Sequence, residues 1–390
     1  MDKKYKILLV HNYYQIPGGE DTVVANEKKL LEDHGHEVIL YTRNNSELKT
    51  MSKAKKLLLP LTTVFNPKTY REVKKIIKEQ HIDIVHVHNT LNLVSPSVYY
   101  AAFSCKVPVV QTIHNFRLLC PGATFYRDGH ICEDCVEHGL GCAVKHSCYR
   151  GSKLQTLMCV ITTKIHRALG TYGKLNYICL TEFNKQKLLQ LKQIKPERVF
   201  VKPNFVEASG DIITFENRPD QFIYVGRLDE LKGIKILFEA WMQMGERAPK
   251  LIVCGTGPLE NWRNSFMKDN LDVNIEMKGF VPNTEAKKLI ANSKALILPT
   301  QWYEGFPMTI LEAYSVGTLV IGSDIGNVGD LIEEGVTGYK FKSDSASSLV
   351  DVIQKCNFDI CESVKKVYED QYSSEENISQ LEAIYDRVSR

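Results

Sequence analysis

Phe222-Ile223-Tyr224-Val225-Gly226-Arg227-Leu228, followed by Lys232-Gly233, opens a segment that closes with Glu304-Gly305-Phe306-Pro307-Met308-Thr309-Ile310-Leu311-Glu312. The apolar run at 222–225 reads as a short buried strand, and the apolar periodicity from Ile234 as a helix. Gly226, Arg227 and Lys232 therefore fall between a strand's carboxyl end and the next helix, where open α/β sheets bind their ligands. Ala295-Leu296-Ile297-Leu298-Pro299 reads as another strand ending in a turn. The helix expected from about Met308 presents free N–H groups in its first turn. Two cations and one helix N-terminus converging on a cleft suit a diphosphate. Glu304 is placed to reach that cleft from the loop and Glu312 from the second helical turn, one carboxylate for a ribose diol and the other for a sugar hydroxyl.

The chain has 390 residues, enough for two domains with separate cores. Its net charge of +3 conceals an asymmetry: residues 1–180 hold 24 Lys and Arg against 15 Asp and Glu, and the remainder is acidic. A basic first half points to an anionic partner. No nucleic-acid motif is present, so a membrane surface or a lipid diphosphate is the expected one. Met1-Asp2-Lys3-Lys4 leads into an apolar run too short for a signal peptide, and no run approaches the length of a spanning helix. A cytoplasmic location is expected, at most peripheral on the inner face of the plasma membrane. In that reducing compartment the 11 cysteines should be thiols or metal ligands.

Tyr5 to His11 reads as the first strand and Val23 to His34 as an amphipathic helix. The Gly18-Gly19 pair between them lets backbone approach a ligand closely, but fits neither the dinucleotide fingerprint nor the phosphate-binding loop. Glu20 and Asp21 suit a helix start. Lys49 to Leu61 mixes Lys with Leu and Met, which fits either interfacial membrane docking or a solvated helix face. Ile84 to His88 and Val109 to His114 are two further strands. His86 and His88 are read as pointing to opposite faces, one of them buried, with no paired metal role. Cys120, Cys132, Cys135, Cys142 and Cys148 fall within 29 residues. One C-x2-C pair flanked by distant cysteines is compatible with a zinc staple of Cys120, Cys132, Cys135 and Cys148, or with metal-free thiols. Further on, Gly335 to Tyr339 reads as a hairpin, and the chain reads as helical from about Ser345 to its end.

Taken in order, these elements resemble the retaining GT-B glycosyltransferases of the family-four, or group 1, type. Glu304 and Glu312 match that family's E-x7-E element. Gly226-Arg227 with Lys232-Gly233 matches its G-R-x4-K-G loop. Thr112-Ile113-His114-Asn115 resembles its T-x-H-D element with Asn for Asp, and Pro203-Asn204-Phe205-Val206 its P-N-G-V junction with Phe for Gly.

The resemblance implies two Rossmann-like doubly wound α/β domains facing across a cleft, residues 1–205 on the acceptor side and 206–365 for the nucleotide sugar. It also implies a terminal helix, 366–390, crossing back onto the first domain, and a Cys-bearing insertion at about 117–150. By the same resemblance His114 lies against the donor sugar, and His114, Arg227, Lys232 and Glu304 form the catalytic set. Gly19, Gly226, Gly257, Phe280, Val281, Gly305, Phe306, Pro307, Met308, Thr309 and Glu312 surround the donor, more often uridine-based than guanosine-based.

With no D-x-D triplet in the chain, no divalent ion is expected in catalysis. Arg227, Lys232 and the helix at Thr309 would stabilise the leaving diphosphate, and front-face transfer would pass the acceptor's proton to the departing phosphate. The implied activity is transfer from a nucleoside-diphosphate sugar to a lipid-linked saccharide in bacterial surface polysaccharide synthesis. The alternatives are a nucleotide-sugar epimerase of the same fold and a non-catalytic GT-B subunit.

Overall fold

The computed structural model describes residues 3–15, 18–208 and 213–390. Ile16 and Pro17, just before the Gly18-Gly19 pair, and residues 209–212 lie outside the described residues. The chain divides into two compact units. One comprises Met1–Phe125, Cys132–Pro203 and Ile378–Arg390; the other comprises Tyr126–Ile131 and Asn204–Asn377.

The strands, in chain order, begin with β1 (Lys6–Tyr13), β2 (Glu37–Asn44), β3 (Ile84–Val87) and β4 (Val109–Ile113). The short hairpin β5 (Tyr126–Arg127) and β6 (His130–Ile131) comes next, then β7 (Asn176–Cys179) and β8 (Val199–Val201). The second unit contributes β9 (Gln221–Val225), β10 (Lys250–Cys254), β11 (Ile275–Gly279), β12 (Ala295–Leu298), β13 (Leu319–Ser323) and β14 (Gly338–Phe341).

The first unit forms a six-stranded parallel sheet in the order β2-β1-β3-β4-β7-β8, and the second one in the order β11-β10-β9-β12-β13-β14. Their central strands are buried from end to end, as a sheet covered by helices on both faces requires: β3, β4 and β12 (Ala-Leu-Ile-Leu) have no exposed position. Strand order reverses direction between β1 and β3 in one sheet and between β9 and β12 in the other. Those two reversals open the crevices at which doubly wound sheets bind ligands.

Helix Gly19–Asp33 follows β1 and buries Asp21, Val23, Val24, Glu27, Leu30 and Leu31, a stripe at helical spacing that contains two acids. Helix Ile234–Met244 follows β9 and buries Ile234, Leu237, Phe238 and Trp241. Gly233 starts it with φ +68°, where a Cβ would sit 1.7 Å from the Pro299 carbonyl oxygen, so no larger residue fits.

Three expectations need correction. Gly335–Tyr339 is no hairpin: the turn delivers Gly338 into β14, which runs parallel to β13. The chain after 345 is not helical throughout: it forms the helices Ala346–Lys355, Cys361–Gln371 and Ser374–Val388, and 356–360 between the first two are not helical. The boundary placed at 366 falls instead at Ile378, since the helix Cys361–Gln371 buries Val364 and Tyr368 in the second unit's core. Helix Lys53–Val64 leaves Leu57, Leu58 and Leu61 exposed, while Leu59 and Val64 are half-buried.

Candidate active site

In the second unit the loops after β9, β10, β11 and β12 are laced together by backbone hydrogen bonds. Leu228 N–H donates to the Thr256 carbonyl at 3.0 Å, Gly255 N–H to Gly279 at 2.7 Å, and Gln301 N–H to Leu231 at 2.8 Å. Gly257 packs so closely on Leu228 that a Cβ would lie 2.4 Å from its carbonyl oxygen. These loops cap the β9/β12 switch point and carry most of the expected donor residues.

Lys232 Nζ donates to Glu304 Oε1 at 2.7 Å, and Thr300 Oγ1 donates to the same oxygen at 3.1 Å. Arg227 Nε donates to Asp229 Oδ2 at 2.7 Å, while Asp229 Oδ1 caps the turn by accepting from Lys232 N–H at 3.0 Å. Each cation is thus aimed by a carboxylate and still reachable, the Arg227 side chain being 65% exposed and that of Lys232 31%. Asn327 Nδ2 donates to the carbonyls of Glu304 and Gly305, fixing the loop that carries them. Pro307, the N-cap of helix Met308–Ser315, brings no capping side chain, so the first-turn N–H groups at Met308 and Thr309 are left for another acceptor.

The expected residues are not all equally placed. Glu312 is buried and its Oε1 accepts from Asn283 Nδ2 at 2.6 Å. Phe306 and Val281 are half-buried and Phe280 is exposed, while Gly226 is held by its N–H to the Cys254 carbonyl at 3.0 Å. Asp229, Asn283, Thr300 and Asn327 were missed. The signal for Asp229 lay two residues after Arg227, the shortest reach by which an acid can aim a guanidinium.

The first unit has a different chemistry at its own switch point. His114 follows β4 and lines a cavity with His88, Asn89, Thr90, Asn115 and Arg117. His86 and His88 do not point to opposite faces. Residues two apart share a face of a strand; the two rings stack with centroids 4.6 Å apart, and both meet Glu27 Oε1, at 3.1 and 3.2 Å. Both are buried. Glu27 occupies a core position of helix Gly19–Asp33, and Lys202, buried beyond β8, lies 3.5 Å from its other oxygen. Burial opposes ionisation of Glu27 most strongly, yet His86, Lys202 and His88 together hold it well below the usual carboxylate range. Burial, helped by His88, holds His114 well below the ordinary histidine value, so its imidazole is neutral.

Beside it, His11 on β1 bonds Asp21 Oδ1 through Nε2 at 2.7 Å, and Asp21 Oδ2 accepts from Gly18 N–H at 3.1 Å. Burial lowers His11 to about 4 against the pull of Asp21. Glu20 accepts from Tyr14 OH at 2.8 Å. Burial raises its carboxyl to about 8, the Tyr14 bond and Arg117 opposing and Asp21 adding. A Cβ on Gly19 would meet nothing within 4 Å, so protein packing does not demand glycine there.

In the insertion, Cys120, Cys148 and Cys142 surround Cys135, whose thiol is pushed up to about 12, chiefly by burial. Cys142, outside the expected set, is among them. Four thiolates around one zinc ion stand about 3.8 Å apart. Among the described residues the group of three ligand atoms that converges, within 4.8 Å, is Glu27, His86 and His88, and the thiols make none. As they stand the cysteines do not converge as the ligands of a tetrahedral ion do.

Known proteins carry the same plan. The model of "Glycosyl transferases group 1" matches residues 207–365 and that of "Glycosyltransferase Family 4" matches 17–131. The gpi3 subunit of phosphatidylinositol N-acetylglucosaminyltransferase from Schizosaccharomyces pombe is 22% identical over 87% of this chain and 71% of its own. A putative colanic acid biosynthesis glycosyltransferase, WcaL, of Salmonella typhimurium is 30% identical over 34% of each chain. Among solved structures, a glycosyltransferase from Rickettsia africae superposes with a TM-score of 0.68 at 18% identity, covering 99% of this chain and 98% of that one. Anabaena Alr3699/HepE in complex with UDP gives 0.66 at 16%, covering 98% and 100%. The fold is GT-B, and the class is glycosyltransferase. Within it, the chain belongs to the group 1, family-four glycosyltransferases.

Proposed function

We propose that this chain moves a sugar, with retention, from a nucleoside-diphosphate sugar to a saccharide on a lipid carrier in bacterial surface polysaccharide synthesis. The observation that carries the reading is the set Arg227, Lys232, Glu304 and the uncapped N-terminus of helix Met308–Ser315, gathered where β9 and β12 part. Two aimed cations and a helix dipole stabilise charge growing on a departing diphosphate, a preorganised arrangement in which losing one donor typically costs about 3 kcal/mol. The UDP bound by the Anabaena protein supports uridine as the base. Glu312, oriented by Asn283, suits a ribose diol. Catalysis then runs without a metal ion, the leaving phosphate taking the acceptor's proton.

The acceptor side of the reading rests on the first unit and on two relatives, one named for phosphatidylinositol and one for colanic acid biosynthesis. No helix among the described residues is long and apolar enough to cross a membrane. Exposed Leu57, Leu58 and Leu61 stand on a helix that also carries Lys53, Lys55 and Lys56, all exposed, a pattern that docks on an anionic bilayer from the cytoplasmic side. The test is release of nucleoside diphosphate from a panel of UDP- and GDP-sugars, with and without lipid-linked saccharide acceptors. Acceptor-dependent release with the anomeric configuration kept is expected. Epimerised sugar from donor alone, or no turnover of any donor, would overturn the assignment.

A further inference from the structure

His114 is braced from behind. Its Nε2 lies 2.9 Å from His88 Nδ1, the two rings stacked at 5.1 Å, and His88 Nε2 lies 3.2 Å from Glu27 Oε1. Glu27 Oε2 faces Lys202 Nζ at 3.5 Å. His86, 3.1 Å from Glu27 Oε1, meets Tyr385 OH through Nδ1 and Thr112 Oγ1 through Nε2, each at 2.7 Å. The lysine ammonium and these bonds occupy the groups that would otherwise ligate a cation, so the cluster is a hydrogen-bond network.

The network fixes hydrogens by elimination. An ionised carboxylate only accepts, so His88 Nε2 carries the hydrogen directed at Glu27. With its single N–H spent on Glu27, His88 presents Nδ1 as a lone pair, which receives its bond from His114 Nε2–H. His114 Nδ1 is then bare, and among the described residues no group bonds to it. The Glu27–Lys202 pair beside His88 is already balanced in charge, and the same buried site holds His86 and His11.

We propose that Glu27 and His88 are positioning residues that lock His114 in the Nε2–H tautomer, so that Nδ1 accepts a hydrogen bond from a substrate hydroxyl or amine and turns away carbonyl, carboxylate and phosphate oxygens. The naming of that substrate as a saccharide rests on the proposed transferase activity; the tautomer does not.

The test uses the full chain labelled with 15N-histidine. Two-bond 1H–15N spectra, assigned with His88→Gln and His114→Gln, should show both rings protonated at Nε2 alone. A hydrogen on His114 Nδ1 in the wild-type protein would overturn the proposal, whatever the variants do. Glu27→Gln offers His88 a donor as well as an acceptor. It should mix the His114 tautomers and lower kcat at least about tenfold, a fraction of the ~10⁴ lost when a triad's orienting acid is neutralised. KM should move by less than about threefold, since the group is not lost. Unchanged tautomers with unchanged kcat would equally sink the idea. Should Glu27→Gln fail to fold, the wild-type spectrum still decides. A fixed tautomer in a protein that turns over no nucleotide sugar would count against the transferase reading and leave the bracing intact.

Discussion

The two units place titratable groups at equivalent switch points and treat them in opposite ways. In the second unit the cations are exposed or half-exposed, each aimed by one acid, Arg227 by Asp229 and Lys232 by Glu304. In the first, Glu27, Lys202, His86 and His88 are buried and bonded to one another. A reachable ion pair can exchange its acid for an incoming anion, whereas a buried one can only orient what stands next to it. On the proposed reading, one site receives charge and the other fixes the direction of hydrogen bonds.

The largest effect expected from breaking that contrast is in the first unit. Glu27→Ala leaves the Lys202 ammonium buried without its carboxylate and should cost about 3–5 kcal/mol in urea unfolding. Removing both partners together, as Glu27→Leu with Lys202→Met, should recover much of that loss. A loss below about 1 kcal/mol for the single variant would mean that Lys202 is not paired with Glu27.

In the second unit the expected loss lies in rate and not in fold. Arg227→Ala or Lys232→Ala should lower kcat for sugar transfer by about 10²–10³, with the thermal midpoint within a few degrees of wild type. Near-native turnover in either variant would count against the diphosphate role.

A smaller effect is expected at Glu20, whose carboxyl is raised from 4.5 to about 8. Between those values the folded chain keeps a proton that the unfolded chain releases, so this group makes the protein less stable as pH rises through the window, and adds nothing below it. Glu20→Gln should therefore gain stability relative to wild type from pH 5 to pH 8, by on the order of 2 kcal/mol. Melting curves at both pH values check it, and a parallel shift of the two proteins would refute it. The smallest expected change is in fold stability for Leu57→Ser with Leu61→Ser, within about 0.5 kcal/mol, while sedimentation with phosphatidylglycerol vesicles should fall several-fold.

The second unit's site was the more legible in the sequence, and the reason is physical. Its residues sit on loops directly after strands, so β9 and β12, each an unbroken apolar run, locate Arg227, Lys232 and Glu304 by their ends alone. The first unit's acid, Glu27, sits within a helix, where no strand end or turn marks it. Only its spacing from Val23, Val24, Leu30 and Leu31 places it on the buried stripe. His86 and His88 were misjudged against the same period-two rule that puts them on one face. The partners of long range, Lys202 and Tyr385 on the histidine cluster and Asn283 on Glu312, lie 299 residues apart at most and leave no local mark.

Tyr385 has a practical consequence for engineering. Because its hydroxyl bonds His86, and Glu382 and Asp386 bond His36 and Tyr5, the final helical segment belongs with the first unit although nearly two hundred residues of the second precede it. Hybrid chains that exchange the second unit among relatives therefore need two splice junctions, near 203/204 and 377/378. A single cut would pair the histidines of one parent with the tail of another.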